Sequence, residues 1–308
     1  MRRIAFLFAG QGAQAVGMGV DLAEALPVAR DVFSVGETIR PGVTELCFRG
    51  DAEELKRTEN TQPCLFLCDL AIAKALTAAG VTPEAVAGFS LGEIPALTYA
   101  GVMTEADGFR FVSLRGEAMA SASEKHPGGM AAALKLTPDV VEETCAQFSE
   151  VWPVNYNCPG QVSCAGNAAQ IDDFCNAIKA AGGRAVKLPV SGAFHTPYMS
   201  EVAPVLRAAL DETDLHAPHL PVYANRTAAP YPADRAGMIE LLSEQVCNPV
   251  RWEETLRAMA ASGIDTFVEV GAGATLTGFV KRTLPDVTAL TVNDLPSYEA
   301  ALKELLGD

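Results

Sequence analysis

A serine between two glycines is the first candidate for covalent chemistry in this chain. Ser90 lies in the pattern Gly88-x-Ser90-x-Gly92, directly after a short apolar stretch that predicts a β-strand. In a nucleophile elbow, a strained turn between strand and helix exposes the serine hydroxyl, and the glycines let chain and substrate approach closely. We interpret Ser90 as a nucleophile. A serine that caps the following helix is the alternative, and the two roles are compatible.

One of the four histidines lies where it could act as a base for that serine. A serine hydroxyl is a weak nucleophile, and the ordinary pKa of histidine suits proton abstraction near neutrality. His216 and His219 lie in a proline-broken segment typical of a surface, and His126 begins a Pro-Gly-Gly turn typical of a solvated linker. We therefore favour His195, which lies beside a predicted cleft. A structural, hydrogen-bonded histidine is the alternative there.

Acyl transfer also requires donors for the oxyanion that forms when a hydroxyl attacks a carbonyl. In an elbow, the residue after the nucleophile supplies one backbone N–H, which here is Leu91. The glycine-rich loop at 10–12 follows the first predicted strand and could supply the second. We expect the oxyanion donors to come from these two segments.

The order of predicted elements indicates an α/β domain that is divided in sequence. Strands at 4–8 and 86–89 alternate with helical segments, which is typical of a parallel sheet. Between 127 and 190 the order becomes βαββαβ, which is typical of a ferredoxin-like module inserted into a larger domain. We predict a large α/β domain over 1–126 and 191–308, a subdomain over 127–190, and a site in the cleft between them.

The expected fold class is therefore α/β: a large α/β-hydrolase-like domain with a mostly parallel sheet, plus an inserted ferredoxin-like βαββαβ subdomain. Hydrophobic spacing predicts strands at 4–8, 86–89, 130–136, 154–157, 162–165, 184–190, 221–224, 266–270 and 287–292. It predicts helices at 60–79, 138–148, 171–181, 238–246, 252–261 and 297–306.

Composition excludes several classes of protein. The 308 residues carry a formal charge of −15, which disfavours binding to nucleic acid or an anionic membrane. No apolar run approaches the length of a membrane span, and the apolar stretch at 4–8 is too short for a signal peptide core. The eight cysteines form no Cys-x-x-Cys pair, so we expect free thiols and no metal site. We expect a cytoplasmic monomer.

Seven motifs occur in the order found in a known family. They resemble those of the malonyl-CoA:acyl carrier protein transacylases of fatty acid synthesis and of the acyltransferase domains of polyketide synthases. The resemblance covers nearly the whole chain. The motifs begin at Gly10 (GQGAQ), Gly88 (GFSLGE), Leu114 (LRGEAM), Asn155 (NYNCPGQ), Gly192 (GAFHTP), Gln245 (QVCNPVRW) and Val268 (VEVG, followed by LTG).

The resemblance implies a role for each reacting group. Ser90 corresponds to the nucleophile and His195 to the base, while the backbone N–H groups of Leu91 and Gln11 correspond to the oxyanion hole. It also implies that a main-chain carbonyl near Gln245 orients the histidine, where other serine enzymes use a carboxylate. The absence of an obvious third acidic partner in the sequence is then explained.

The resemblance further implies Arg115, Phe194 and Asn155 as substrate-binding residues. Arg115 matches the arginine that holds the free carboxylate of malonate, and a planar guanidinium can grip a carboxylate through two parallel hydrogen bonds. An ordinary arginine on a helix surface is the alternative. Phe194 matches the malonyl-type rather than the methylmalonyl-type pattern, so we expect malonyl as the acyl group.

The implied reaction is a ping-pong transfer of malonyl from malonyl-CoA to the pantetheine thiol of acyl carrier protein, without cofactor or metal. A free-standing chain favours fatty acid synthesis; a free-standing polyketide acyltransferase is the alternative. Carrier proteins are typically acidic, so docking needs local cations. We hypothesise that Lys281 with Arg282, or Arg184 with Lys187, form that patch, and solvated surface cations are the alternative.

The sequence departs from the family pattern at two positions. Phe89 stands where most members have histidine, which removes a polar contact beside the expected malonyl site. Pro95 falls in the first turns of the predicted helix, where an interior proline costs about 3 kcal/mol unless the segment kinks. Neither change removes a reacting group.

Other classes of function remain open from the residues alone. A dinucleotide-binding oxidoreductase is one, because the loop at 10–15 fits G-x-G-x-x-A and Asp31 could bind a ribose, although Gly17 and Gly19 interrupt the helix that should follow. A serine esterase usually has its histidine near the C-terminus, whereas His195 lies 308 − 195 = 113 residues from it. A non-catalytic scaffold would leave the serine inert.

Overall fold

A computed structural model describes residues 2–190 and 192–307. Its strands are β1 (Ile4–Phe8), β2 (Ala85–Gly88), β3 (Gly128–Leu134), β4 (Val151–Cys158), β5 (Gln161–Asn167), β6 (Arg184–Lys187), β7 (Val222–Tyr223), β8 (Thr266–Val270) and β9 (Thr288–Val292). Its helices are α1 (Val20–Ala25), α2 (Pro27–Ile39), α3 (Val43–Arg49), α4 (Ala52–Lys56), α5 (Thr58–Ala78), α6 (Glu93–Tyr99), α7 (Glu105–Lys125), α8 (Pro138–Cys145), α9 (Ile171–Ala180), α10 (Val202–Glu212), α11 (Arg235–Glu244), α12 (Trp252–Ala261), α13 (Thr275–Thr283) and α14 (Leu295–Leu306).

The larger sheet has the order β7-β2-β1-β8-β9, and all its neighbouring strands run parallel. Its central strands are buried on both faces, which explains their nearly continuous apolar sequences. Phe8 is in register with both Gly88 and Val270, so three strands end at one edge of the sheet. The loops that follow β1, β2 and β8 therefore meet there.

The smaller sheet is antiparallel and has the order β4-β5-β3-β6. One face packs on α8 and α9 around a separate core that includes Phe174 and Ile178. Residues of its other face, including Met130, Val154 and Ala165, belong to the main core of the molecule. The predicted α/β class with a mostly parallel sheet and a second, smaller sheet is confirmed, whereas the predicted domain boundaries stay predictions.

Several predicted boundaries were wrong, because prolines, turns and helix caps determine where elements begin and end. Apolar spacing does not show these features. The strand predicted at 184–190 ends at Lys187, shortly before Pro189, which has no N–H to donate. The strand predicted at 221–224 shrinks to β7, since the Ala224 N–H turns back to the Ala229 carbonyl. The helix predicted at 238–246 instead starts at Arg235, after the Asp234 side chain accepts from the Gly237 N–H.

The expected strain at Pro95 was also wrong. Ser90–Gly92 forms a 3₁₀ turn, and α6 begins only at Glu93, so Pro95 is the third residue of the helix. The first N–H groups of a helix have no partner within it, and a proline there removes no interior bond.

Within the described parts of the chain, no helix is long and apolar enough to cross a membrane.

Candidate active site

Ser90 lies in the sharp turn between β2 and α6, at the sheet edge where the strands end. Its φ is +53°, a left-handed conformation that costs a non-glycine residue about 1–2 kcal/mol. A Cβ on Gly88 would lie 1.9 Å from the Gly92 carbonyl carbon, and one on Gly92 would lie 2.4 Å from the Phe8 oxygen. The two glycines of the motif are therefore required by close backbone approach, as the elbow pattern predicts.

His195 lies beside this serine and is held by main-chain carbonyls. Its Nε2 is 2.7 Å from Ser90 Oγ, and its Nδ1 is 3.0 Å from the Gln245 oxygen and 3.1 Å from the Asn248 oxygen. Because carbonyl oxygens can only accept, the ring proton belongs on Nδ1, which leaves Nε2 free to accept the serine proton. The predicted pairing of Ser90, His195 and a carbonyl at Gln245 is present in the structure.

Burial, and after it the nearby Arg115 charge, lower the pKa of His195 from 6.5 to about 4. The two carbonyl contacts at Nδ1 act in the opposite direction. At neutral pH the ring is therefore neutral, which is the form that a general base requires.

Arg115 on α7 is buried immediately behind Ser90, with only 1% of its surface exposed. This excludes the alternative of a helix-surface arginine. Its Nη1 donates to Gln62 Oε1 at 2.8 Å, and its Nη2 donates to Gln245 Oε1 at 2.8 Å and to Ser90 Oγ at 3.3 Å. Its Nε has no partner among the residues that the structure describes. Burial lowers its pKa to about 10, so the side chain is charged at neutral pH.

The glycine-rich loop after β1 lies against the nucleophile turn. A Cβ on Gly10 would lie 2.7 Å from the Phe89 oxygen, so the two loops touch through their backbones. Gln11 faces the same cavity as Ser90, and its side chain donates to Thr58 Oγ1 at 3.1 Å. The loop is thus placed where the second oxyanion donor was predicted, while the donor role itself stays a prediction.

A cavity of about 1130 Å³ separates the large sheet from the small sheet. Ser90, His195 and Phe194 lie on its wall, together with Gln11. This volume is slightly above the range of about 300–1,000 Å³ that is typical of small-molecule pockets.

The small sheet contributes a polar wall to the cavity, here called the small-sheet wall: Asn155, Asn157, Gln161 and Ser163. Asn155 and Asn157 are only 7% and 3% exposed, yet the Oδ1 atom of each has no partner within residues 2–190 and 192–307. Asn157 Nδ2 donates to Ser163 Oγ at 3.0 Å. Buried acceptors without partners are unusual, so this wall has unused capacity to bind donors.

Two phenylalanines complete the cavity. Phe89 packs against Trp252 and Phe279, with ring centroids 5.3 Å and 6.1 Å away. The position that is polar in most of the family is therefore part of an apolar aromatic cluster here. Phe194 is buried beside His195 and also lines the cavity, while its substrate-binding role stays a prediction.

Sequence reasoning missed Asn225, Glu93 and Tyr231. Asn225 Oδ1 accepts from the Ser90 N–H at 2.7 Å, although 135 positions separate the two residues. Glu93 accepts from the Asn225 N–H at 2.8 Å and from the Tyr231 hydroxyl, and burial raises its pKa to about 7. Glu93 was visible as the last residue of the Ser90 motif, but no pattern pointed to Asn225.

The remaining histidines His126, His216 and His219 are exposed and lie outside this site. In the described residues, no group of three or more His, Cys, Asp or Glu side chains could hold a metal ion.

Comparison with known proteins assigns the chain to a family. It belongs to the acyl transferase domain family, whose model matches residues 5–302. It is 37% identical to the malonyl CoA-acyl carrier protein transacylase of Bacillus subtilis over 99% of this chain and 98% of that protein. The structure superposes on the malonyl CoA-acyl carrier protein transacylase of Clostridium perfringens with a TM-score of 0.95 and 38% identity, covering 99% of this chain and 98% of that one.

A further solved relative is PlMCAT, a malonyl-transacylase in complex with AntF, a type II polyketide synthase acyl carrier protein. It superposes with a TM-score of 0.94 and 34% identity, and covers 98% of this chain and 99% of its own.

Proposed function

We propose that the chain transfers the malonyl group from malonyl-CoA to the pantetheine thiol of an acyl carrier protein, through an acyl-enzyme on Ser90. The observation that carries the proposal is the contact of the Ser90 hydroxyl with two groups, His195 Nε2 at 2.7 Å and the buried Arg115 at 3.3 Å. Such a site combines an activated nucleophile with a fixed positive charge for an acidic acyl group. The names of the similar proteins from Bacillus subtilis and Clostridium perfringens support this activity.

In the first half-reaction, Ser90 Oγ attacks the thioester carbonyl while its proton passes to His195 Nε2. The carbonyl oxygen becomes an oxyanion, for which we propose the backbone N–H groups of Leu91 and Gln11 as donors. When the C–S bond breaks, the CoA sulfur takes the proton from the imidazolium. The second half-reaction reverses these steps with the carrier thiol as nucleophile. No cofactor takes part in this scheme.

Arg115 has one donor, Nε, without a partner in the described structure, beside the Nη2 that already donates to Ser90 and Gln245. Nε and Nη2 lie on the same side of the guanidinium, which is the edge that binds a carboxylate through two parallel bonds. Nη2 points at Ser90 Oγ, and Nε has no partner in the described structure. A malonyl group esterified to Ser90 would therefore place its carboxylate against this edge, and an acetyl group would leave the edge empty.

The small-sheet wall is suited to the arm that carries the thioester. Pantetheine contains two amide N–H groups, and Asn155 and Asn157 of the small-sheet wall each have a buried carbonyl oxygen without a partner in the described structure. We propose that these oxygens accept the amide hydrogens of CoA in the first half-reaction and those of the carrier arm in the second.

Of the two cation pairs predicted to dock the carrier protein, one is the better candidate. Lys187 forms an ion pair with Asp172 at 2.7 Å, so its charge is already compensated. Lys281 and Arg282 are exposed on α13, and Arg282 donates to Gln161 Oε1 at 2.8 Å, next to the cavity. We propose this pair as the docking cations and expect that the double change to Glu weakens transfer to the carrier but preserves acylation by malonyl-CoA.

Finer features of the fold support the same assignment. The small sheet has the strand order of a ferredoxin-like βαββαβ module, and the elbow at the end of a parallel strand resembles that of α/β hydrolases. All eight cysteines are free thiols, which is typical of a reducing compartment and supports a cytoplasmic location.

A polyketide pathway is the second candidate, and the likeness to PlMCAT in complex with AntF favours it. The test uses catalytic amounts of enzyme, malonyl-CoA, and either a fatty acid or a type II polyketide carrier protein. The mass of each carrier reports malonyl loading. Loading of neither carrier would contradict the proposed function, and the faster carrier identifies the pathway.

A further inference from the structure

Both backbone polar atoms of Ser90 are bound by side-chain amides from distant parts of the chain. The Ser90 N–H donates to Asn225 Oδ1 at 2.7 Å, and the Ser90 carbonyl accepts from Gln245 Nε2 at 2.7 Å. Asn225 follows β7, whereas Gln245 begins the 3₁₀ turn after α11. The two amides, here called the amide clamp, therefore hold the nucleophile turn from two separate elements.

Asn225 is itself held by hydrogen bonds at both polar atoms of its side chain and at its backbone N–H. Its Nδ2 donates to the Gly88 carbonyl at 2.6 Å, so the side chain bridges the turn from Gly88 to Ser90. Its backbone N–H donates to Glu93 Oε2 at 2.8 Å, and the Tyr231 hydroxyl donates to the other oxygen of that carboxyl group. The residue is fully buried. Such a complete set of bonds leaves little freedom to the peptide units that it touches.

The amide clamp also fixes the direction of the Leu91 N–H, because a peptide unit is planar. The Ser90 carbonyl and the Leu91 N–H belong to one trans peptide unit and point in opposite directions. A hydrogen bond that fixes the carbonyl direction also fixes the N–H direction and polarises that group. The Ser90 N–H is already occupied by Asn225, so the next N–H along the chain is that of Leu91.

We propose that Asn225 and Gln245 are positioning residues whose side-chain amides orient the Leu91 N–H as an oxyanion donor. This inference rests on the proposed acyl transfer. Neither side chain needs to touch the acyl group. The Gln245 side chain thus has a task separate from that of its main-chain carbonyl, which holds His195.

The test measures the single-turnover rate constant for acylation of the enzyme and the half-saturating concentration of malonyl-CoA. The variants are Asn225→Ala and Gln245→Met, and the second keeps the main-chain carbonyl. Loss of one oxyanion donor lowers a rate by about 100- to 1,000-fold, so we expect a misaligned donor to lower it by at least about tenfold. With Asn225→Ala, the half-saturating concentration should change by less than about threefold, because the lost interaction forms only in the transition state. Gln245→Met also removes a partner of Arg115, so its effect on orientation is measured with acetyl-CoA, which has no free carboxylate.

Two comparisons separate orientation from other effects. In the described parts of the chain, the hydrogen-bond partners of Arg115 are Gln62, Ser90 and Gln245, so Asn225→Ala should slow acylation by malonyl-CoA and by acetyl-CoA by the same factor. Gln62→Met removes the side chain that accepts from Arg115 Nη1 but leaves the Ser90 peptide unchanged. This variant should mainly raise the half-saturating concentration of malonyl-CoA. Asn167→Ala is the matched control, because that amide also accepts a backbone N–H, at 2.9 Å, in a loop outside the cavity wall.

The inference is overturned if folded Asn225→Ala and Gln245→Met acylate at the wild-type rate, or if Asn225→Ala slows malonyl transfer alone. Circular dichroism and melting temperatures identify variants that fail to fold. If Asn225→Ala is one of them, acylation of Gln245→Met by acetyl-CoA decides the question. A wild-type enzyme that forms no acyl-enzyme would instead remove the proposed function. The two failures are therefore distinguishable.

Discussion

On the nucleophile side of the cavity, Ser90 already contacts both His195 and Arg115, and each of these is held by further partners. On the small-sheet wall, Asn155 and Asn157 keep carbonyl oxygens without partners in the described structure. The first arrangement suits the fixed chemistry of an acyl transfer, which gains from groups that need no reorganisation. The second suits binding of an arm that arrives with each substrate and leaves again. We therefore expect changes on the nucleophile side to lower rate constants, and changes on the wall to weaken binding.

The largest effect should come from His195→Ala. Positioned proton transfer contributes about 100- to 10,000-fold, and no other titratable base contacts Ser90 Oγ among the described residues. We expect the single-turnover acylation rate to fall by about 1,000-fold or more, with half-saturation by malonyl-CoA little changed. A fall of less than tenfold would show that His195 is not the base. It would also contradict the proposed contrast between the nucleophile side and the small-sheet wall.

Arg115→Lys should have the next largest effect, and an effect that depends on the acyl group. A lysine keeps the charge but cannot form two parallel bonds to a carboxylate. We expect kcat/KM for malonyl-CoA to fall by about 100-fold, while the lower rate with acetyl-CoA changes by less than about threefold. Equal losses for both acyl groups would contradict a malonate-binding role.

Asn157→Ala and Asn155→Ala test the small-sheet wall. Each removes one buried acceptor, and a hydrogen bond to a neutral group contributes about 0.5–1.5 kcal/mol. We expect the KM for malonyl-CoA to rise by about three- to tenfold, with kcat nearly unchanged. With a minimal thioester substrate that lacks the pantetheine amides, these variants and the wild type should have the same KM. A fall in kcat alone would show that the wall belongs to the reacting machinery instead.

The smallest effect should be that of pH between 8 and 5.5. The pKa of His195 is lowered to about 4, so the base stays neutral and acylation should change by less than about twofold. Below that range the rate should fall as the imidazole takes up a proton. A decline with an apparent pKa near 6.5 would contradict the flat profile and point to titration of His195 or of Glu93, whose pKa burial raises to about 7.

The lowered pKa of His195 also predicts that the free energy of unfolding depends on pH. The folded-state pKa is lower than the ordinary value of 6.5, so the unfolded chain binds more protons between pH 4 and 6.5. The contribution of His195 to the free energy of unfolding should therefore be fully present above pH 6.5 and be lost as the pH falls toward 4. Denaturant unfolding of wild type and His195→Gln across this range measures it, and equal slopes against pH would exclude the contribution.

The sequence allowed prediction of the reacting groups because their types and local spacing are diagnostic. Ser90 lies between two glycines whose lack of a side chain the turn requires, and the segment around His195 rejoins the large sheet beside it. Arg115 was predicted only through the family resemblance. Its helix α7 was not predicted from spacing, since a buried arginine interrupts the apolar face.

The supporting contacts could not be predicted, because they depend on packing between distant elements. Asn225 reaches Ser90 across 135 positions, and a lone asparagine after a short strand is ordinarily a turn residue. The helices at α1 to α4 were also missed, since they are short or are interrupted by glycine and proline. Local pattern thus predicted the candidate reacting groups, whereas the tertiary structure was needed to find what holds them.

The most direct test is the intact mass of the protein after brief incubation with malonyl-CoA, followed by peptide mapping, for wild type and Ser90→Ala. We expect a malonyl adduct on the peptide that contains Ser90, absent from the variant, which disappears from the enzyme when acyl carrier protein is added. An adduct that forms equally in Ser90→Ala, or no adduct in the wild type, would contradict a covalent role for Ser90.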